Sequence, residues 1–200
     1  MGRKAISKNR KNNSKKREDW VLELFKYFQE NGIKKVSMDE VANSLSKSKS
    51  TLYEYFESKD EIVALMLEMK LKNLIKFSEI LTDTNIDFFK RYELSMAHIS
   101  KELSDVSKLF FTDLKELYPS LWNSIELFSK QGTSLLENYY KEGISKGYFR
   151  KIDIQILTMT DNMFFNALME PENLNNMNLT LKEALVAFLD LKMNGLKAIN

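Results

Sequence analysis

Apolar residues recur along this chain at the spacing of buried helix faces. Val21, Leu24, Phe25 and Phe28 fall at i, i+3, i+4 and i+7, with Trp20 and Tyr27 beside them. That is the stripe of an amphipathic helix. Asn31-Gly32 stops it, because glycine takes the left-handed conformation without strain. Ser37-Met38-Asp39-Glu40 fits a capping box, so a short helix runs from Met38 to about Leu45 and buries Val41, Ala42 and Leu45. After Ser46-Lys47-Ser48 a second short helix points Leu52 and Phe56 inward. Ser58-Lys59-Asp60-Glu61 is a second capping box and opens a long helix reaching about Leu81.

From 83 to 150 the pattern is helical, with breaks at 83–86, 103–105, 118–120 and 147–151. Pro119 suits the first turn of a helix, where its missing N–H costs nothing, and Gly147 suits an end. A helix rich in Ile and Met starts at Asp153 and ends before Pro171. Thr180 and Glu183 form a third capping box ahead of the last helix. On that helix Leu181, Ala184, Leu185, Phe188, Leu191 and Gly195 make one stripe. Val186, Leu189, Met193 and Leu196 make another about 130° away. One stripe can pack on the subunit and the other on a partner; Lys192 between them fits neither.

Composition narrows the function classes. The chain has 200 residues with no cysteine and a single histidine, His98. Thiolate zinc sites, cysteine nucleophiles and His-rich metal sites are excluded, and triad chemistry has no base to spare. Six glycines and two prolines favour an all-α protein. No apolar run exceeds six residues, so no membrane span is expected, and with no signal-peptide core a cytoplasmic protein is expected.

Charge adds a partner. Residues 1–17 carry eight basic side chains and no acid, leaving a net −6 on the remainder. A disordered basic arm on a mildly acidic body is a footprint of polyanion binding. The arm precedes three helices whose last two are joined by a three-residue turn, the layout of a helix-turn-helix. The wide major groove admits the leading end of the second helix of such a pair. Here that end carries Lys49, Ser50 and Thr51, with Tyr53 and Tyr55 on its flanks. Ser37 and Lys59 stand at helix N-termini, where exposed N–H groups favour phosphate. Periodicity alone leaves open that these are three ordinary packed helices.

The segment VANSLSKSKSTLYEYFESKDEIVALML, from Val41 to Leu67, resembles the DNA-binding signature of TetR-type bacterial transcriptional regulators. The likeness runs from Glu18 to Leu71, with fainter echoes in YPSLWNSIELF and EGISKGYFR. It implies that Lys49, Ser50 and Thr51 read bases, that Tyr53 and Tyr55 contact bases or backbone, and that Ser37 and Lys59 hold phosphates. Ser48 caps the reading helix, and Lys47 reaches a phosphate. Two departures stand in the turn, where Ser46 and Lys47 replace the usual glycine and small apolar residue. Serine there must become left-handed, at about 1 kcal/mol.

The resemblance further implies a helix-turn-helix domain at 18–62, then a helical effector-binding and dimerisation domain at 63–200, with about nine helices in all. Such a protein is a ligand-responsive repressor that binds double-stranded DNA at a palindromic operator. It acts as a homodimer through the helices near 153–169 and 180–197, and needs no cofactor or metal. Its effector is apolar or aromatic, in a pocket assigned to Phe89, Tyr92, Met96, His98, Phe110, Trp122, Phe128, Tyr139 and Met163. Two rivals stay open: a small-molecule carrier with a vestigial helix-turn-helix, and an enzyme, for which no nucleophile–base pair, metal cluster or phosphate loop is visible.

Overall fold

The computed structural model describes residues 14–168, 170, 172–173, 176 and 178–197. Its helices are α1 (Ser14–Asn31), α2 (Met38–Ser44), α3 (Lys49–Tyr53), α4 (Lys59–Leu74) and α5 (Lys76–Thr82). They continue with α6 (Phe88–Leu103), α7 (Lys108–Leu117), α8 (Pro119–Ser145), α9 (Ile154–Leu168) and α10 (Leu181–Leu196). The β pairing seen among the described residues is an isolated bridge between Phe149 and Lys197. The all-helical class is as expected. No helix among these residues is long and apolar enough to cross a membrane.

Local chemistry explains most boundaries. Gly32 and Gly147 end α1 and α8 with φ of 76° and 74°, and Pro119 starts α8. The boxes at Ser37/Glu40 and Thr180/Glu183 are complete. The one at Ser58 is half formed: its hydroxyl accepts from the Glu61 N–H, but the Glu61 carboxylate turns to Arg17 and the Glu57 N–H. The expected long helix is broken at Ile75. Neither glycine nor proline marks the break. Instead, side chains take its carbonyls: His98 Nε2 bonds the Asn73 oxygen at 2.8 Å and Ser78 Oγ donates to that of Ile75 at 2.7 Å, an insertion into the helical ladder that bends a helix.

Two hydrophobic cores result. The first gathers α1–α4 around Leu24, Phe28, Leu52, Phe56 and Ile62 and is closed by Phe110 and Leu114 of α7. The second holds α5, α6, α8, α9 and α10 around Phe88, Tyr139, Tyr140, Leu185 and Leu189. The tight spot of the second is Gly143. A Cβ there would meet the Phe149 ring at 2.1 Å and the Phe88 ring at 2.8 Å, with Phe88 stacked on Tyr139 at 4.3 Å. Gly143→Ala is therefore expected to destabilise by about 1–3 kcal/mol through overpacking, read as a lowered urea midpoint. A neutral or stabilising result would show that these rings can move.

The stripes expected on the last helix are regrouped. Its inward face holds Ala184, Leu185, Leu189 and Leu196, mixing members of both, while Val186 and Leu191 are exposed. Lys192 fixes this rotation. It lies on the inward face, paired with the wholly buried Asp161 of α9, and donates to the Leu157 carbonyl oxygen at 3.2 Å.

Candidate DNA interface and effector cavity

The helix pair α2–α3 is held from below by apolar anchors. Val41, Ala42, Leu45, Leu52 and Phe56 are each at most 4% exposed. Ser46 makes the turn with φ of 54°, the left-handed geometry expected of it. Its N–H donates to Asn43 O at 2.9 Å, and that of Lys47 to Ala42 O at 2.9 Å. Ser48 caps α3, accepting from the Thr51 N–H at 3.1 Å while the two hydroxyls meet at 2.8 Å. The helix is one residue longer than a turn and ends at Tyr53, short of Phe56. With Leu52 and Phe56 pinned, the opposite side of α3 faces water: Lys47, Ser48, Lys49 and Ser50 are exposed, Tyr53 is 41% exposed and Thr51 is half-buried.

Other assigned positions have structural duties. Tyr55 is corrected from a DNA contact to core. Its ring is 5% exposed and lies 4.7 Å from that of Trp20, because α3 ends two residues earlier and turns it inward. Lys59 is half-buried, and its ammonium donates to Ile33 O and Val36 O, both at 2.8 Å, clasping the α1–α2 turn. Ser37 gives its N–H and hydroxyl to the Glu40 carboxylate at 2.7 and 2.8 Å. Those bonds hold Glu40 below the usual carboxylate range and put an acid where a phosphate was expected. Lys49 pairs with Asp39 of α2 at 2.8 Å, which raises the lysine's pKa.

The last four residues of the expected basic arm are helical. Residues 14–17 are the first turn of α1. Lys16 lies over the rings of Trp20 and Tyr55, and Arg17 over Phe56 while it pairs with Glu61. Residues 1–13, with five of the eight basic side chains, lie outside the described residues.

A second feature lies behind the helix pair, a cavity of about 180 Å³. Its walls are Met66, Leu67, Leu71 and Leu74 of α4, Phe110, Phe111 and Leu114 of α7, and Ile125 and Phe128 of α8. Met96, Phe110 and Phe128 are among its lining residues; the other six residues assigned to an effector pocket are not. Phe89 and Tyr139 belong to the ring cluster around Phe88, and Tyr92 stacks on Tyr139. His98 is spent on the Asn73 carbonyl. Trp122 packs edge-on to Phe111 and donates to Glu126 at 3.1 Å, and Met163 is 63% exposed.

Sequence reasoning missed that α4 supplies a cavity wall. The signal was there: Met66, Leu67, Lys70, Leu71 and Leu74 share one helical face. It also missed the strut that ties α7 to the α1–α2 turn. Asp113 of α7, 6% exposed, accepts from the N–H groups of Ile33 at 2.6 Å and Lys34 at 2.8 Å. Gln29 of α1 accepts from the Ser107 N–H at 2.6 Å. The turn that leads into α2 is thus gripped by Asp113 on its N–H side and Lys59 on its carbonyl side.

Residues 24–66 match the family model described as bacterial regulatory proteins of the tetR family. This segment is a tetR-family DNA-binding segment. A relative described as an uncharacterized HTH-type transcriptional regulator, YvaF of Bacillus subtilis (strain 168), is 20% identical over 179 residues, covering 89% of this chain and 94% of its own length. Among solved structures, a TetR-family transcriptional regulator from Marinobacter aquaeolei VT8 superposes with a TM-score of 0.74 at 18% identity, covering 90% of this chain and 91% of that one. The ketosteroid transcriptional regulator KstR2 of Mycobacterium tuberculosis gives 0.65 at 18% identity, covering 92% and 96%. At such identities the structures speak to the fold, and the family match falls on the helix-turn-helix itself. The chain carries the helix-turn-helix of TetR-family DNA-binding transcriptional regulators.

Proposed function

We propose that the chain is a ligand-responsive repressor that binds a palindromic operator as a homodimer, with 18–62 as reading head and 63–200 as regulatory body. The observation that carries this reading is the two-sidedness of α3. Leu52 is wholly buried beneath it, while Lys47, Ser48, Lys49, Ser50 and Tyr53 stand in water on its far side. Asp39 holds Lys49 in the free protein; a DNA phosphate would take its place.

Pairing of two copies is supported by α9 and α10. Ile156, Met159 and Met163, at i, i+3 and i+7 on α9, are 50%, 50% and 63% exposed, and on α10 Val186 and Leu191 are 51% and 74% exposed. Two such faces together make a four-helix contact, and a dimer sets its two reading helices for half-sites about one helical turn apart.

Release by a ligand is supported by what the cavity touches. The helices α4 and α7 that wall it also carry the residues, Lys59 and Asp113, that clasp the α1–α2 turn. An apolar occupant that fits better when α4 and α7 are displaced prefers the reading heads in the wrong spacing, and only that differential affinity weakens operator binding.

The test is a gel shift against DNA upstream of the chain's own coding sequence at low salt, followed by a salt titration. The reading predicts a discrete shifted species, with log K falling linearly against log salt. Failure to shift any genomic fragment would leave a small-molecule carrier with a vestigial reading head.

A further inference from the structure

The cavity's lining specifies its occupant by charge and by size, an inference that rests on the ligand-responsive reading above. The cation that lines it, Lys70, is already neutralised: its ammonium meets Asp105 at 2.8 Å, with the lysine side chain 16% and the aspartate 54% exposed. The Thr133 hydroxyl is spent on the Ser129 carbonyl oxygen at 3.1 Å. Ser129 offers a neutral hydroxyl, and Phe77, Phe110 and Phe128 offer rings. A carboxylate or phosphate entering here would shed its water and would have to displace Asp105 from Lys70 to recover a charged partner. A buried charge without such a partner is strongly disfavoured. An uncharged apolar molecule meets no such cost and gains from leaving water.

Volume sets the second limit. An apolar cavity of about 150 Å³ holds one benzene molecule, so 180 Å³ suits a slightly larger guest. We propose that the cavity takes an uncharged, largely apolar molecule of about eight non-hydrogen atoms, and rejects carboxylates and phosphates of the same length. One hydroxyl is accommodated by Ser129.

The experiment is direct binding to the full-length chain without DNA, by calorimetry and by the rise in Tm, using toluene, 1-heptanol, 1-dodecanol and heptanoate. Toluene and 1-heptanol should bind and raise Tm. Heptanoate should bind about 100-fold more weakly than 1-heptanol, and 1-dodecanol more weakly than 1-heptanol despite its larger apolar surface. Gly132→Leu and Ser129→Leu each place a side chain toward the cavity and should abolish 1-heptanol binding, with circular dichroism confirming the fold. Either variant suffices if the other fails to fold, and the alcohol–carboxylate comparison needs neither. Heptanoate binding as tightly as 1-heptanol, no binding by either neutral probe, tighter binding of 1-dodecanol, or undiminished binding in a folded variant would each overturn the proposal. Because no DNA is present, these outcomes are separate from those of the gel shift.

Discussion

Replacing Asp161 with alanine is expected to lower the unfolding free energy by about 3–5 kcal/mol, the usual cost of stranding a buried charge. Asp161 is wholly buried and holds the ammonium of Lys192, whose side chain is 6% exposed. The Tyr140 hydroxyl donates to its other oxygen at 2.9 Å, and Lys192 lies over the Tyr140 ring at 4.6 Å. Burial raises the pKa of Asp161 and lowers that of Lys192, each ion being penalised by lost water and supported by its partner. Removing one leaves the other without its counter-charge, whereas removing both removes the penalty as well. Asp161→Leu with Lys192→Met should therefore lose much less than Asp161→Ala, as read from urea unfolding. If the single and double variants are equally destabilised, the pair is not coupled as described. The pair also joins α9 to α10, so Asp161→Ala should weaken the dimer proposed for their outer faces.

The second large effect is expected at Asp113. Its carboxylate serves two N–H groups of the α1–α2 turn, and Asp113→Ala would leave the buried N–H of Ile33 and the part-buried N–H of Lys34 without an acceptor. The loss should be about 2–4 kcal/mol, with Asp113→Asn, which keeps one carbonyl oxygen, falling between. Gly32 makes the site intolerant in the other direction, since a Cβ there would lie 2.6 Å from the same carboxylate oxygen. Asp113 is on the cavity wall's helix and not on the reading head, so a drop in DNA affinity in the folded variant would report strain transmitted through α7. Unchanged stability and unchanged DNA affinity would contradict the strut.

Much of this architecture could be read from residues close in sequence. The caps at Ser37 and Thr180, the stops at Gly32 and Gly147 and the left-handed Ser46 are decided within four residues, and they stand as expected. What escaped depends on partners far along the chain. The break at Ile75 needs His98, the rotation of α10 needs Asp161, and the Asp113 contact spans about eighty positions. Lys192 was the visible clue: a charge on an apolar face signals a buried counter-charge elsewhere. The reading face was legible where polar residues alternate with the anchors Leu52 and Phe56. It failed at Tyr55, because an aromatic beyond a helix end takes its direction from the turn and not from the helical period. The cavity was half legible for a similar reason, since aromatic residues mark core and only packing decides which of them border a space.

The most direct test is dimethylsulfate protection of guanine N7, an atom of the major groove, on a DNA fragment the chain shifts. The account predicts protected guanines in two segments about one helical turn apart, with protection lost in a folded Lys49→Ala, Ser50→Ala variant whose affinity falls by about 1–3 kcal/mol per base contact removed. Guanines left unprotected in the wild-type complex, or protected identically by the variant, would contradict an α3 seated in the major groove.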